Sequence, residues 1–178
     1  MKKLTLFVFL VLCILGASIS LHSIGPSYDD DIDYVMTAYE PVILDREALE
    51  SSIKSSDAKP IEASGKIYIK GDYLFVNEKY KGVHMIDNSN PHTPINIGFI
   101  EAPGCIDISI IDDHLFIDNA VDLVTVDIGS FPIIREVSRV RNIFPELFPP
   151  DLDYLPWQYS HSNRESNTVI VGWERVVN

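Results

Sequence analysis

The sequence contains little cysteine and little positive charge. Two cysteines occur in 178 residues, and 14 lysines and arginines stand against 26 acidic residues, which gives a formal net charge of -12. Such a chain repels phosphate backbones and anionic membrane surfaces, so nucleic acid is not an expected partner. Cys13 lies in a targeting segment, and a mature chain with Cys105 alone has no internal disulfide. We interpret Cys105 as a small buried hydrophobic residue.

Sequence motifs of catalysis are also missing. The chain has neither the Gly-x-Ser-x-Gly turn of a hydrolase nor a glycine-rich phosphate-binding loop. His92 and His161 have no partner at the spacing of a metal site. We therefore assign no catalytic residue, no metal ligand and no cofactor.

The N-terminus has no apolar run long enough to span a bilayer. Lys2 and Lys3 precede twelve largely apolar residues, Leu4–Leu15, whereas a spanning helix needs about 20. Small residues follow at 16–20. This order predicts a signal peptide over residues 1–20 and an exported protein.

Cys13 leaves the type of signal open. A cysteine after a short apolar run resembles a lipoprotein signal, in which the thiol receives a lipid. The residue before that cysteine is normally small, and here it is Leu12; Ile14 and Leu15 are unusually apolar for a mature start. Lipidation at Cys13 and an ordinary cleaved signal are both retained. The expected location is the periplasm or cell envelope, with a lipid anchor as the expected link to a membrane.

Residues 21–60 are predicted to comprise an acidic leader and a capping helix. The leader contains the acidic run Asp29–Asp33. That run lacks the glycine and the final glutamate of an EF-hand calcium loop. We therefore interpret residues 21–44 as a solvated, flexible tether and not as a cation site.

The helix is predicted over residues 45–55. Asp45 can cap the first free N–H groups, and Leu44 can contact Leu49 across the first turn. Leu49 and Ile53 lie four residues apart, so they are expected to share one face that packs against a sheet.

An internal repeat dominates residues 61–143. The segment 67–87 returns at 108–127, with an offset of 41 residues that falls to 40 after one deletion. Self-similarity at this period is typical of repeat folds such as propellers, in which each blade has four short strands. Because Phe75 and Phe116 share a position within β-forming runs, we expect at least one of them in the core. Matched pairs include Leu74 and Leu115, Val83 and Leu123, His84 and Val124, Ile86 and Val126, and Asp87 and Asp127.

Each repeat is predicted to form four strands. They are Lys66–Lys70, Tyr73–Asn77, Val83–Asp87 and Asn96–Ile100 in the first repeat, and 107–111, 114–118, 122–127 and 136–140 in the second. Gly71-Asp72 and Asp112-Asp113 fit tight turns, which need residues that tolerate positive φ. Asp87 and Asp127 can each fix the turn after a third strand. The predicted fold class is mainly β: an incomplete β-propeller-like array of about two four-stranded blades with one short N-terminal helix.

The repeat also predicts the roles of two histidines. His84 occupies the position of Val124, and His114 occupies that of Tyr73. Packed or half-buried imidazoles explain both better than metal or substrate ligands do. The substitution His84→Val is therefore expected to be tolerated.

Residues 144–178 are predicted to comprise a proline- and aromatic-rich excursion and a terminal strand. Four prolines and five aromatic residues between positions 144 and 159 exclude a helix or a central strand. Tyr154, Trp157 and Tyr159 form a candidate binding surface for a sugar or peptide, although covering a sheet edge is the commoner use of such a segment. One more strand begins at Thr168, with incomplete burial expected around Val169–Trp173.

These motifs together resemble the LVIVD-repeat proteins over most of residues 40–175. The resemblance is carried by 66–87, 103–104, 118–127, 144–146 and 169–174. It implies an exported, often lipid-anchored bacterial protein that is predicted to form a β-propeller. It implies no established activity and no catalytic residue. Full members look longer, with further repeats after the Gly-Trp-Glu strand, which bears on ring closure.

We predict an exported, non-catalytic β-repeat protein that binds a protein or glycan at the cell envelope. One alternative is an enzyme with its site on propeller loops, and another is a truncated remnant of a longer propeller protein. Two blades cannot close a ring, since propellers use about 4–8. The helix and the excursion are expected to cap the ends, and open β edges are expected to cause self-association or partner binding.

The mature chain is expected to begin between Ser18 and Leu21, or at a lipidated Cys13, because the basic, apolar and small-residue regions follow in the order of a signal. Intact-mass measurement on protein from the envelope fraction checks this. Retention of Met1 in that fraction would contradict cleavage.

Overall fold

The computed structural model describes residues 37–177. The predicted signal peptide at 1–20, with Cys13, and the leader as far as residue 36 lie outside these residues. The expectations for them stay predictions. Between residues 37 and 177, no helix is long and apolar enough to cross a membrane.

The described chain is mainly β, as predicted. Its elements are β1 (Tyr39–Asp45), α1 (Arg46–Glu50), β2 (Lys54–Ser56), β3 (Ser64–Lys70), β4 (Tyr73–Glu78), β5 (Gly82–Asp87), β6 (Ile95–Glu101), β7 (Ile108–Ile111), β8 (His114–Asn119), β9 (Asp122–Ser130), β10 (Ile133–Val140), a 3-10 turn (Trp157–Tyr159) and β11 (Thr168–Arg175). The strands form a first sheet ordered β2-β6-β5-β4-β3, a second sheet ordered β10-β9-β8-β7, and a terminal sheet of β1 and β11. No closed propeller is present among these elements, so the blade arrangement stays a prediction.

The two repeats correspond to two antiparallel meanders, β3–β6 and β7–β10. The eight predicted strands are all present, with ends that differ by a few residues. Gly71 and Asp112 adopt φ values of +56° and +51° in the predicted tight turns. The carboxylate of Asp87 accepts a hydrogen bond from the Ser89 N–H at 2.9 Å, and that of Asp127 accepts one from the Gly129 N–H at 3.0 Å. The turn chemistry read from the repeat is therefore confirmed.

Each sheet has two different faces, because side chains alternate along a strand. The aliphatic face carries Ile67, Ile69, Leu74, Val76, His84 and Ile86 in the first sheet, and Ile108, Ile110, Leu115, Ile117, Val124 and Val126 in the second. The aromatic face carries Tyr68, Phe75, Val83 and Met85 in the first sheet, and Ser109, Phe116, Leu123 and Thr125 in the second. The faces follow the repeat position by position.

The main core lies between the aromatic face of the first sheet and the aliphatic face of the second. One buried cluster contains Phe75, Val83, Met85, Ile108, Leu115, Ile117, Val124 and Val126. At its edge, the Tyr68 hydroxyl donates to the Asp107 carboxylate at 2.7 Å. Lys66 also pairs with Asp107. Burying each large apolar side chain contributes about 1.5–3 kcal/mol, so this interface supplies much of the driving force for folding.

The terminal sheet corrects two expectations. Residues 39–44, read as part of a flexible leader, form most of β1, which pairs antiparallel with β11. Residues Thr168–Trp173 are all buried, so the expectation of incomplete burial around Val169–Trp173 is wrong. The reason is long-range pairing: β1 covers the edge that would otherwise be open. Val169 and Val171 also pack with Leu49 in a second apolar cluster.

The helix is shorter than predicted. It spans Arg46–Glu50, and the Asp45 side chain makes no capping hydrogen bond. Leu49 lies in the cluster at the terminal sheet, whereas Ile53 packs against the main core, so the two do not serve one helical face. The chain leaves the helix because residues 54–56 pair with β6 as a strand.

A buried ionic network joins α1 to the second sheet. The fully buried Asp122 accepts hydrogen bonds from Arg46 at 2.7 Å and from Arg139 at 2.9 Å, as well as from the Asn142 N–H at 3.0 Å. Burial opposes ionisation of this carboxyl group, but the N–H and guanidinium donors outweigh it and lower the pKa of Asp122. The helix is thus held to the sheet by ion pairs. The predicted cap plays no part in this attachment.

Truncation of Phe75 should be far more costly than truncation of Phe116. Phe75 is buried in the main core and Phe116 is only half-buried. Phe75→Ala is expected to lower the free energy of unfolding by about 3–5 kcal/mol, and Phe116→Ala by clearly less. Denaturant melts of both variants measure this. Equal losses would contradict the assignment of the two faces.

Candidate functional site

A cavity of about 400 Å³ lies at one end of the first sheet. Its lining includes Glu62, Glu78, Lys81, His84, Phe99 and Glu101. The most unusual feature of its wall is a buried carboxylate and imidazole in direct contact. Glu78 Oε2 lies 2.5 Å from His84 Nε2, and both side chains are nearly inaccessible to solvent.

The turn between β4 and β5 positions this pair. Glu78 ends β4, and the chain returns through Tyr80, at φ +66°, to Gly82 opposite Glu78. Gly82 has a φ of +145°, and a Cβ there would lie 2.0 Å from the Ile100 carbonyl oxygen. Glycine is therefore required at this position. The tight return places His84 on β5 next to the end of β4.

Asn96 fixes which ring nitrogen of His84 carries the proton. Its Nδ2 donates to the Lys59 carbonyl at 2.8 Å, and its Oδ1 accepts from the Gly98 N–H at 3.3 Å. The amide orientation is thus set, and Nδ2 faces His84 Nδ1 at 3.4 Å. His84 Nδ1 is the acceptor, so Nε2–H donates to Glu78.

Lysines complete the charge balance of the cavity wall. Lys81 pairs with Glu78 at 3.1 Å and with Glu62 at 2.6 Å. Burial raises the pKa of Glu78, but hydrogen bonds from His84 and Lys81 outweigh it, so the pKa of Glu78 is lowered. Lys59 pairs with Glu101 at 3.0 Å and lies over the Phe99 ring, 4.7 Å from its centroid.

The pair departs from the repeat at both of its positions. In the second sheet, Asn119 stands where Glu78 stands, and Val124 stands where His84 stands. Sequence reasoning judged His84 alone and missed Glu78. The sequence contained a signal for this pair, because two positions that are uncharged in the second hairpin are ionisable in the first. The packed imidazole at His84 is confirmed, whereas His114 is exposed and that expectation was wrong.

The imidazole in the cavity wall is held by partners within the chain. Both nitrogens of His84 are engaged by Glu78 and Asn96. No serine or cysteine is among the lining residues. Within residues 37–177, no group of three or more His, Cys, Asp or Glu could hold a metal ion. Cys105 is fully buried; burial raises its pKa well above the usual range, as expected for a core thiol.

The predicted aromatic surface divides into an anchor and two exposed rings. Tyr159 packs edge-on against Trp173, with ring centroids 5.4 Å apart. Trp157 is 70% exposed and Tyr154 is 43% exposed. Tyr159 thus belongs partly to the packing that holds the excursion in place. Trp157 and Tyr154 are exposed at its surface.

Hydrogen bonds hold the excursion in a defined shape. The Trp173 indole N–H donates to the Leu147 carbonyl at 3.0 Å. The Asn163 amide donates to the Trp157 carbonyl at 2.8 Å. Arg164 donates to the Tyr159 carbonyl at 2.9 Å. The exposed indole therefore projects from a fixed backbone.

His84→Val should destabilise the fold, in contrast to the expectation from the repeat. The valine would leave the buried Glu78 carboxylate without its imidazole donor. Breaking a buried pair by removing one partner costs about 3–5 kcal/mol, measurable in denaturant melts at neutral pH. A decrease in the free energy of unfolding below about 1 kcal/mol would show that the histidine only packs and does not stabilise the carboxylate.

The double substitution Glu78→Asn with His84→Val is the matched control, since it reproduces Asn119 and Val124 of the second repeat. It should lower the free energy of unfolding less than His84→Val alone.

The dependence of stability on pH is a second readout. The lowered pKa of Glu78 means that its stabilisation is present above its ordinary value of 4.5 and is lost as the pH falls below it. Glu78→Gln should therefore lose less stability than the wild type between pH 7 and pH 4.

Comparisons with protein-family models, curated proteins and solved structures gave no match for this chain. The resemblance to LVIVD-repeat proteins therefore stays a prediction.

Proposed function

We propose that this chain is an exported, non-catalytic β-repeat protein of the cell envelope that binds a protein or glycan through Trp157 and Tyr154. The observation that carries the proposal is the 70% exposed indole of Trp157 on a hydrogen-bonded backbone. Aromatic rings with one apolar face and one polar tip are enriched at binding surfaces. A sugar ring or a peptide side chain can stack on either of them.

The fixed support favours binding on physical grounds. Ordering a flexible segment at an interface costs about 0.5–1.5 kcal/mol for each immobilised side chain. Here Tyr159 and Trp173 pack together, and Arg164 ties the segment to the Tyr159 carbonyl. Much of the ordering is completed before a partner arrives, so the rings act as a preformed platform.

The envelope location and the propeller-type architecture belong to the same proposal. The order of basic, apolar and small residues over 1–20 supports export, with Cys13 as the site of a lipid anchor if the signal is of the lipoprotein type. Two equivalent meanders, stacked face to face, support an incomplete propeller-like array of two blades. The acidic composition is consistent with a partner other than nucleic acid.

An enzyme with its site on loops is the second candidate, and one observation favours it. Glu78 and His84 are ionisable residues that depart from the repeat and contact each other in a cavity wall. Against it, Asn96 occupies the second ring nitrogen, so the imidazole has no free site for proton transfer. Binding of a small polar ligand at this wall needs no such free site.

Replacing either exposed ring with alanine should weaken binding. The probes are soluble oligosaccharides from the envelope and the purified envelope proteins, titrated against the protein with isothermal titration calorimetry as the readout. We expect at least a tenfold loss of affinity for Trp157→Ala and a smaller loss for Tyr154→Ala, because each removes a stacking face.

Tyr73→Ala is the matched control for Tyr154→Ala, since Tyr73 is 41% exposed and Tyr154 is 43% exposed. Tyr73 lies in β4, outside the excursion, and its substitution should leave affinity unchanged. Equal affinities for all three variants would contradict the proposed surface. Loss of binding in the double variant Glu78→Asn with His84→Val, shown by thermal melts to be folded, together with full affinity in Trp157→Ala, would move the site to the cavity.

A further inference from the structure

The same face is buried in one repeat and open in the other. The aliphatic face of the second sheet is covered by the first sheet, and Ile108 is 4% exposed. Its repeat counterpart on the first sheet, Ile67, is 60% exposed. Ile69 is 74% exposed, and its counterpart Ile110 packs against the core. The first sheet therefore exposes an apolar face. The equivalent face of the second sheet is covered by the first sheet.

Part of that face already has a cover. The segment at 57–63 reaches its His84 end, where the Lys59 carbonyl accepts from Asn96 and Lys81 pairs with Glu62. The end toward the β3–β4 turn has no such cover within residues 37–177: Ile67 and Ile69 are exposed there, and Leu74 is only half-buried. Exposed apolar surface of this kind marks interaction sites.

The chain also carries the face that fits. In the main core, Phe75, Val83 and Met85 of the first sheet cover the aliphatic face of the second. Their counterparts on the aromatic face of the second sheet are Phe116, Leu123 and Thr125, which are half-buried. Phe116 and Leu123 line a shallow depression of about 260 Å³. Phe144 also lines this depression, so one molecule has one open face of the first kind and one incompletely covered face of the second, on different sheets.

We propose that the open aliphatic face of the first sheet is covered by the aromatic face of the second sheet of another copy of this chain. The interface repeats, between molecules, the stacking that forms the core within one molecule. The polar edge is compatible with it. Lys66 of the first sheet pairs with Asp107, its own repeat counterpart. In the contact between two copies, Asp107 of one copy takes the place of Lys66 and faces Lys66 of the other copy. Opposite charges therefore lie together again.

This interface joins two different faces, so it is heterologous. Such contacts form closed rings when the rotation closes and filaments when it does not. Each copy supplies two repeat sheets, so two to four copies supply four to eight sheets. Propellers usually have this number of blades. A second copy is preferred to an unrelated partner because this chain itself carries the complementary residues at matching positions.

Light scattering coupled to size exclusion on the full chain, purified from the export fraction and diluted in steps, tests the proposal. We expect a mass of two or more chains that falls at high dilution. Ile69→Glu should reduce the mass at least twofold, to that of one chain. Val177→Glu is the matched control, since Val177 is 92% exposed, lies outside both repeat sheets and should leave the mass unchanged. Thermal melts check that both variants are folded.

Mixing two blocked variants tests the direction of the contact. Ile69→Glu blocks the aliphatic face of the first sheet, and Ile111→Glu blocks the aromatic side of β7, where Ile111 is the counterpart of Lys70. Each variant alone should be a monomer, and an equimolar mixture should form dimers that grow no further. A monomeric wild type would overturn the proposal, as would an unchanged mass for Ile69→Glu. A mixture that stays monomeric would show that the two faces do not meet.

Discussion

The packing of the first sheet against the second is the interaction on which the other parts of this structure depend. Phe75 and Met85 enter a layer formed by Leu115 and Val126, and this contact creates the main core. The terminal sheet then attaches to the β8–β9 turn, where Val121 joins the cluster of Val169 and Val171. The terminal sheet thus packs on a turn of the second sheet, which is itself held by the stacking.

Buried charge is organised in parallel in the two repeats, with different residues. Near the β4–β5 turn, Glu78 is neutralised by Lys81 and accepts a hydrogen bond from His84. Near the equivalent β8–β9 turn, Asp122 is neutralised by Arg46 and Arg139. Buried ion pairs contribute little net stability, but loss of one partner is costly, so each network fixes a unique arrangement. The chain, with its excess of acid, thus uses three of its cations, Lys81, Arg46 and Arg139, to neutralise two buried carboxylates.

The surfaces available for function lie at different places in the described chain. The excursion presents Trp157 and Tyr154 on a fixed backbone, and the first sheet presents Ile67 and Ile69. The first surface is suited to a partner that stacks on rings, whereas the second repeats a sheet-to-sheet contact.

The sequence by itself determined the repeat, its strands and its turns, because these depend on local alternation and on residues such as Gly71 and Asp87 whose roles are set within a hairpin. It also indicated Tyr154, Trp157 and Tyr159 as a candidate binding surface. Tertiary structure alone decided the rest. The pairing of β1 with β11 joins the two ends of the described chain, and no local pattern in residues 39–45 announces a partner so distant in sequence. The contact of His84 with Glu78 arises only when a tight turn brings the ends of two strands together. Burial of one aliphatic face and exposure of the other likewise follow from which sheet has a neighbour, because identical local sequence patterns acquire different surroundings when the chain packs.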